Sequence, residues 1–283
     1  MTTGIETSMA DASKPIGSAS AQLARARWKR LRDGIAVLAT QVLVLAALLA
    51  FWEYVTPKGS PAAFMFGSPS AIAGFLVQMA KDGSLWRDAA ITGMETLLGF
   101  FLGNLVGTLI GLSLWYSRFV SRVVQPFVIA LGSIPIIALA PIVIIWFGTG
   151  LISKVAMSTL SVVIVALVTS YKGAIGVDGD QINLMRTLGA SKFQIFRKLV
   201  VPASLTDIFA GLKLTVGFAL IGAIVGEFMS SSEGLGHAIF KAGSLYIIPK
   251  VFAALVVTIV LALVLTYLVG KIERLLIPWR RQA

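Results

Sequence analysis

Cysteine is absent from this chain and His237 is its single histidine. These two gaps exclude disulfides, thiolate metal sites and any cluster of imidazoles around a metal ion. Charge is scarce as well: Asp, Glu, Lys and Arg make up 13% of the 283 residues, against about 25% in an ordinary soluble domain. No Gly-x-x-x-x-Gly-Lys-Ser/Thr loop is present, so the chain has no phosphate cradle of that kind. What fills the space is apolar: 57% of the residues, arranged in runs longer than about 18, the length that reads as a membrane-crossing helix. The length suits one membrane domain and leaves no room for a separate soluble catalytic domain.

Residues 1–24 are small and polar and are expected to form a tail without structure. Arg25, Arg27, Lys29, Arg30 and Arg32 then precede an apolar run at 35–54. A signal peptide has the same order of features, but its apolar core is only about 7–15 residues long, so this run is expected to be an uncleaved first span. Pro57, Gly59 and Pro61 interrupt the chain. Ser68-Pro69 reads as a helix N-cap followed by proline at the first turn. Ile72, Phe75, Leu76 and Met79 follow on one face and Gly83 closes the segment, which suits a short amphipathic helix at the outer surface.

Five further spans are expected, at 89–115, 123–147 (broken at Pro135 and Pro141), 152–171, 205–229 and 249–270. Gly99, Gly103, Gly107 and Gly111 recur every four residues in the second span, which places them on one helical face where a neighbouring backbone can come close. A short helix at 235–242 lies between the last two spans. The fold expected is therefore an all-α bundle of six transmembrane helices. It comprises an N-terminal tail at 1–33, a membrane domain at 34–273 with a polar loop at about 172–202, and a tail at 274–283.

Six spans put both termini on one side. With the termini inside, 18 of the 24 Lys and Arg residues fall on the inner side and six on the outer, the asymmetry expected for cytoplasmic termini. The net charge of +11 is accounted for by these flanking residues, and no nucleic-acid partner is expected.

Within the polar loop, Gln181 to Pro202 reads QINLMRTLGASKFQIFRKLVVP. Ile182, Met185 and Leu188 fall on one face of a short helix, Gly189 breaks it, and Phe193, Phe196, Leu199 and Val200 begin a second apolar face. Paired amphipathic helices on the inner surface can dock a partner or pack against their own bundle.

This stretch resembles the cytoplasmic EAA loop of ABC importer permeases. Asn183-Leu184-Met185 stands in place of the Glu-Ala-Ala triplet, Gly189 in place of its glycine, and Leu199-Val200-Val201-Pro202 in place of Ile-x-Leu-Pro. The wider chain, from about Ser68 to Trp279, is similar to permeases of the nitrate, sulfonate, taurine and bicarbonate import family. The resemblance is carried by Ser68-Pro69-Ser70, Leu97-Leu98-Gly99-Phe100, Ile134-Pro135, Ala138-Leu139-Ala140-Pro141 and Trp146-Phe147-Gly148, then by Arg186-Thr187-Leu188-Gly189-Ala190-Ser191, Val225-Gly226-Glu227-Phe228 and Gly234-Leu235-Gly236.

The resemblance implies a type I importer subunit in a bacterial inner membrane that is not itself an enzyme and has no catalytic residue. A second permease copy, two ATPase subunits that use ATP and Mg, and an extracytoplasmic solute-binding protein would be its partners. The chain itself would bind no cofactor or metal. Asn183, Leu184, Met185, Arg186, Leu188, Gly189 and Ala190 would form the coupling helix seated on an ATPase. Asn183 stands where the family has its glutamate, so Arg186 would carry more of the polar interaction with that subunit.

Glu95 and Glu227 lie within expected spans, where a carboxylate costs about 2.5–3.5 kcal/mol on insertion scales and normally faces protein or water. Together with Ser133 and Pro135 they are candidates to line the substrate path. Otherwise Glu95 sits near the outer headgroups and Glu227 pairs with backbone or hydroxyl groups. A carboxylate at 95 facing the path would favour a neutral or cationic solute, and the chain resembles relatives linked with pyrimidine, thiamine-precursor or riboflavin-type uptake. The rival expectations are the same role for a sulfonate or nitrate-type anion, an ion-coupled secondary transporter, and an intramembrane enzyme. Against the second, the glycine ladder has no counterpart in the second half; against the third, the acids are dispersed.

Overall fold

The computed structural model describes residues 16–276. The chain divides into two units, Met1–Ala63 and Phe64–Ala283. The first is dominated by α1 (Ile16–Val55), whose Arg32–Val55 portion is long and apolar enough to cross a membrane. Its helix begins well before the apolar run, so 16–24, expected to lack structure, are helical and the basic residues 25–32 lie within the helix. Residues 1–15 of the expected tail lie outside the described residues, as do 277–283. A short α2 (Pro61–Phe66) follows.

In the second unit, α3 (Pro69–Lys81) starts as its sequence dictates: Ser68 Oγ accepts from Ala71 N–H at 3.3 Å, Pro69 occupies the first turn, and Ile72 and Met79 are buried. Gly83, at φ +78°, turns the chain into α4 (Ser84–Ser113), which a 3-10 turn extends to Tyr116.

The expected third span is two helices, α5 (Arg118–Gly132) and α6 (Ile136–Phe147), bent by 93° at the break. Pro135 makes that break, as the extended residue that caps α6; Pro141 is carried inside α6 without interrupting it. The difference is positional: Pro135 biases Ile134 away from helical geometry, whereas Pro141 falls in the second turn, where it removes one hydrogen bond that continuing turns tolerate.

The remaining elements are α7 (Leu151–Ile175), α8 (Gly179–Thr187), α9 (Lys192–Ile195), α10 (Val201–Ser230), α11 (Leu235–Ser244) and α12 (Ile248–Leu276). A π turn at Phe196–Val200 joins α9 to α10, so Lys192–Ser230 forms one 39-residue apolar helix. Among the described residues five helices are long and apolar enough to cross a membrane, or six with α5–α6 taken as one broken span. The described residues are all helix and connection. Helix continues past both ends of the expected membrane domain, to Ile16 and to Leu276.

α7 is the centre of the packing. The four-residue glycine ladder of α4 lies against it: a methyl at Gly99, Gly103, Gly107 or Gly111 would come within 3.0 Å of Ser158, Val162, Val163 or Leu167 respectively. α10 approaches the other side of α7 in the same way, with Gly211 against Thr169 and Gly222 against Met157 and Ser158. Gly226, four residues after Gly222, lies against Lys154 of α7, so the second half carries a short counterpart of the ladder, with Gly211 11 residues before Gly222. Phe100, Val162, Ala166, Val216, Ala219 and Leu265 fill the core between these helices. α6 rests on α7 through Ala140, Val143 and Met157.

Candidate functional site

Two constructions at opposite ends of the bundle gather the residues that the sequence singles out. The first is α8 and its surroundings. Asp178 caps the helix by accepting from Asp180 N–H at 2.9 Å, and Asp180 and Arg186 sit at the ends that the helix dipole favours for their charges. The helix ends in a tight turn: Gly189 N–H donates to the Arg186 carbonyl at 2.9 Å and Ala190 N–H to that of Met185 at 3.0 Å. Gly189 takes φ +79° there, the left-handed conformation that glycine adopts without a Cβ clash. One residue later Ser191 and Gln194 form a capping box, with bonds of 3.3 and 2.7 Å, and start α9.

The faces of α8 differ from the sequence expectation. Ile182 and Met185 point inward, packing with Ala190 against Leu112, Ala174, Ile195 and Val200 at the base of the bundle. Leu188 does not share that face; it lies past the helix end, 74% exposed, and Leu184 is 61% exposed. The outward surface is Asn183, Leu184, Arg186, Thr187 and Leu188. Met185 therefore seats the helix, while the two leucines project.

Sequence reading missed the residues that brace this end. Trp115, Tyr116 and Phe196 stack with ring centroids 4.8–5.7 Å apart. Lys192 Nζ donates to the Tyr116 carbonyl at 2.5 Å and lies 5.9 and 5.6 Å from the Trp115 and Tyr116 rings. Aromatic residues and a lysine 76 positions apart carry no local pattern that would announce this.

The second construction is a buried polar cluster where α4, α7, α10 and α11 meet. Glu227 is fully buried; it accepts from Thr92 Oγ1 at 2.6 Å and from Gly236 N–H at 2.5 Å, and His237 N–H also donates to it. Thr92 Oγ1 in turn accepts from Leu235 N–H at 2.9 Å, and Asp88 Oδ1 from Gly234 N–H at 3.2 Å. The first turn of α11 thus ends on acidic and hydroxyl acceptors, the placement that a helix N-terminus favours. A methyl on Gly234 or Gly236 would collide with the Glu227 carboxylate.

Glu95 is 3% exposed and its carboxyl contacts that of Glu227, so the structure brings together two acids that the sequence leaves dispersed. Among the described residues its Oε2 has no hydrogen-bond donor and the neighbouring Thr96 hydroxyl has no partner. Lys154, counted with the outer loops in the charge asymmetry, is instead buried at the start of α7. Its ammonium donates to the Ser230 carbonyl at 3.0 Å and to the Thr149 carbonyl.

Neither Glu95 nor Glu227 faces an open surface of the chain. In this structure both carboxylates are enclosed by the chain, where the sequence expectation has them facing a path. Ser133 and Pro135 stand apart from these acids. Both are exposed at the α5–α6 break, with Ser133 Oγ donating to the Ile129 carbonyl at 2.9 Å. Trp146 is likewise 72% exposed on α6.

A family profile described as binding-protein-dependent transport system inner membrane component matches residues 103–278. The chain is 36% identical over 238 residues to a riboflavin transport system permease protein, RibX, of Chloroflexus aurantiacus, covering 84% of this chain and 88% of that one. It is 28% identical over 239 residues to a putative aliphatic sulfonates transport permease protein, SsuC, of Bacillus subtilis, covering 84% and 87%. A subunit in an inward-facing structure of the MetNI methionine ABC transporter superposes with a TM-score of 0.62 at 21% identity, over 69% of this chain and 97% of that one.

Proposed function

This chain belongs to the family of binding-protein-dependent transport system inner membrane components, and from that premise we propose how its parts serve an ABC importer. It is the permease subunit of such a transporter, a multi-pass membrane protein whose hydrolytic partners are separate ATPase chains. α8 is the coupling element: Ile182, Met185 and Ala190 fix it to the bundle, and Leu184 and Leu188, with Asn183, Arg186 and Thr187 around them, enter a groove of one ATPase. The observation that carries this reading is the pair of projecting leucines on a short helix whose other face is locked. Burying both at an interface would be worth about 1.5–3 kcal/mol each, which explains why apolar side chains stand in water.

In this reading α8 and both termini are cytoplasmic, the membrane is a bacterial inner membrane, two copies of the chain pair, and two ATPases bind below with a solute-binding protein above. α4 and α10 each pack closely on α7 through glycine, which supports a path outside those contacts. Solute passes between the two copies along α5 and α6, where Ser133 and Pro135 are exposed. Glu95 and Glu227 act from behind that surface by holding α4, α10 and α11 in place. The higher identity to the riboflavin permease than to the sulfonate permease supports a neutral heterocyclic solute of the riboflavin or pyrimidine type.

The test is purification of the chain with its partners from native membranes, followed by ATP hydrolysis and uptake measurements on wild type and Leu184→Asp/Leu188→Asp. Loss of ATPase association at unchanged permease stability is expected. Uptake driven by an ion gradient without nucleotide would sink the proposal in favour of a secondary transporter, and saturable uptake of an alkanesulfonate alone would sink the solute assignment.

A further inference from the structure

Two helices of this chain end in the same hydrogen-bonded turn, yet they place different residues at its left-handed position. α8 uses Gly189, as described above. α11 closes identically: Tyr246 N–H donates to the Gly243 carbonyl at 3.0 Å and Ile247 N–H to that of Ala242 at 2.9 Å. Here the left-handed residue is Tyr246, at φ +57°. Among the described residues it is the one non-glycine with positive φ. A bulky L residue in that conformation sets its Cβ against the following carbonyl oxygen, a strain that glycine avoids.

The two turn hydrogen bonds hold this conformation for any residue and so do not account for tyrosine in place of glycine, and Tyr246 is 69% exposed. Its ring is therefore not held there to fill the protein's own core. Residues held by their surroundings in sparsely populated backbone conformations cluster at ligand clamps and switch regions. Leu245 beside it is 60% exposed and lines a concavity of about 160 Å³ together with Met79, Arg87, Lys241, Ile247 and Lys250, drawn from α3, α4, α11 and α12 and the turn before α12. Its charged walls suit a hydrated protein surface better than acyl chains. α11 joins the outer ends of α10 and α12, so this turn lies at the end of the bundle opposite α8.

We propose that Tyr246, with Leu245 at the lip of this concavity, is a docking contact for the solute-binding protein on which the family depends. The family description itself requires such a protein, and exposed tyrosine rings are favoured anchors at interfaces because they bring large contact area with little entropy to lose. The inference rests on the orientation proposed above, with α8 in the cytosol.

The test uses the whole transporter. In source cells, a photo-crosslinking benzoylphenylalanine at position 246 is expected to form an adduct with an exported solute-binding protein, identified by mass spectrometry. Adducts with lipid alone or with a second copy of the chain, or no adduct, would overturn the proposal. In parallel, the purified complex in nanodiscs is compared as wild type, Tyr246→Gly and Tyr246→Phe, using the binding protein recovered with the native complex.

Tyr246→Gly is expected to raise Tm by about 2–4 °C and to leave basal ATP hydrolysis unchanged. The same variant should raise the binding-protein concentration for half-maximal stimulation about tenfold, whereas Tyr246→Phe stays within about twofold of wild type. Unchanged half-stimulation in Tyr246→Gly would refute the docking role, and an unchanged Tm would refute the strain argument. A complex that contains no ATPase would instead sink the transporter assignment, so the two failures are separable.

Discussion

Glu227→Ala tests the account of the buried cluster most directly. The carboxylate accepts from Thr92 Oγ1, Gly236 N–H and His237 N–H, and all three donors are shut away from water by a side chain that is itself fully buried. Thr92 cannot turn elsewhere easily, because the same oxygen already accepts from Leu235 N–H. Each orphaned buried donor costs about 1–3 kcal/mol. Partial rehydration of the vacated space reduces the sum, so a loss of about 3–6 kcal/mol is expected, equivalent to a fall in Tm on the order of 10 °C.

Glu227→Gln keeps the volume but turns an NH2 group toward one of the donors, and should lose about 1–3 kcal/mol. Thermal unfolding of the purified complex gives the order wild type, Gln, Ala. Hydrogen exchange localises the effect: Leu235–Ser244 should lose protection while Gly179–Thr187 at the other end is unchanged. If Glu227→Ala melts within about 2 °C of wild type with α11 still protected, the cluster does not hold α11 and the reasoning fails.

Gly107→Val should prevent stable assembly of the bundle, since its Cβ would strike the Val163 carbonyl and Ala166; detergent extraction followed by gel filtration would show aggregate where wild type elutes as a single peak. Glu95→Gln should leave the half-saturating solute concentration within about twofold of wild type, because the side chain meets no open surface; a change of about tenfold would restore it to the path. The native absence of cysteine makes labelling clean: Ser133→Cys should react with a small thiol reagent and Glu95→Cys should not. Met185→Ala should destabilise the permease by about 2 kcal/mol and so lower Tm by removing a partly buried inward anchor, whereas Leu188→Ala should leave Tm unchanged and weaken ATPase association.

What could be read in advance follows from which signals are local. The spans announce themselves because the bilayer imposes a length, and the ladder at Gly99, Gly103, Gly107 and Gly111 because its period matches one helical face. On α10 the same work falls to Gly211, Gly222 and Gly226, too irregular a set to stand out as a ladder. Pro135 and Pro141 are equivalent as residues; only the finished packing of Ala140 and Val143 on α7 shows which of them bends the chain. Amphipathicity at 182–188 identifies a helix but not which of its apolar residues faces home, so Met185, expected at the docking surface, packs inward instead. The hydrogen bond between Thr92 and Glu227 spans 135 positions, and nothing in either neighbourhood points to the other.

The π turn at Phe196–Val200 has a consequence for the whole molecule. It ends two residues before Pro202, which brings no N–H to the helical ladder, and a π turn accommodates one extra residue in a single helical turn. One added residue rotates everything beyond it by about 100°. The side of α10 that meets α7, and the bearing from which Glu227 reaches α11, are thus indexed by a single surplus peptide unit at the foot of the 39-residue helix. If α8 couples to an ATPase as proposed, a push on it would meet that joint first, since Ile182 and Met185 pack on Ile195 and Val200, before it reached the clasp at the far end.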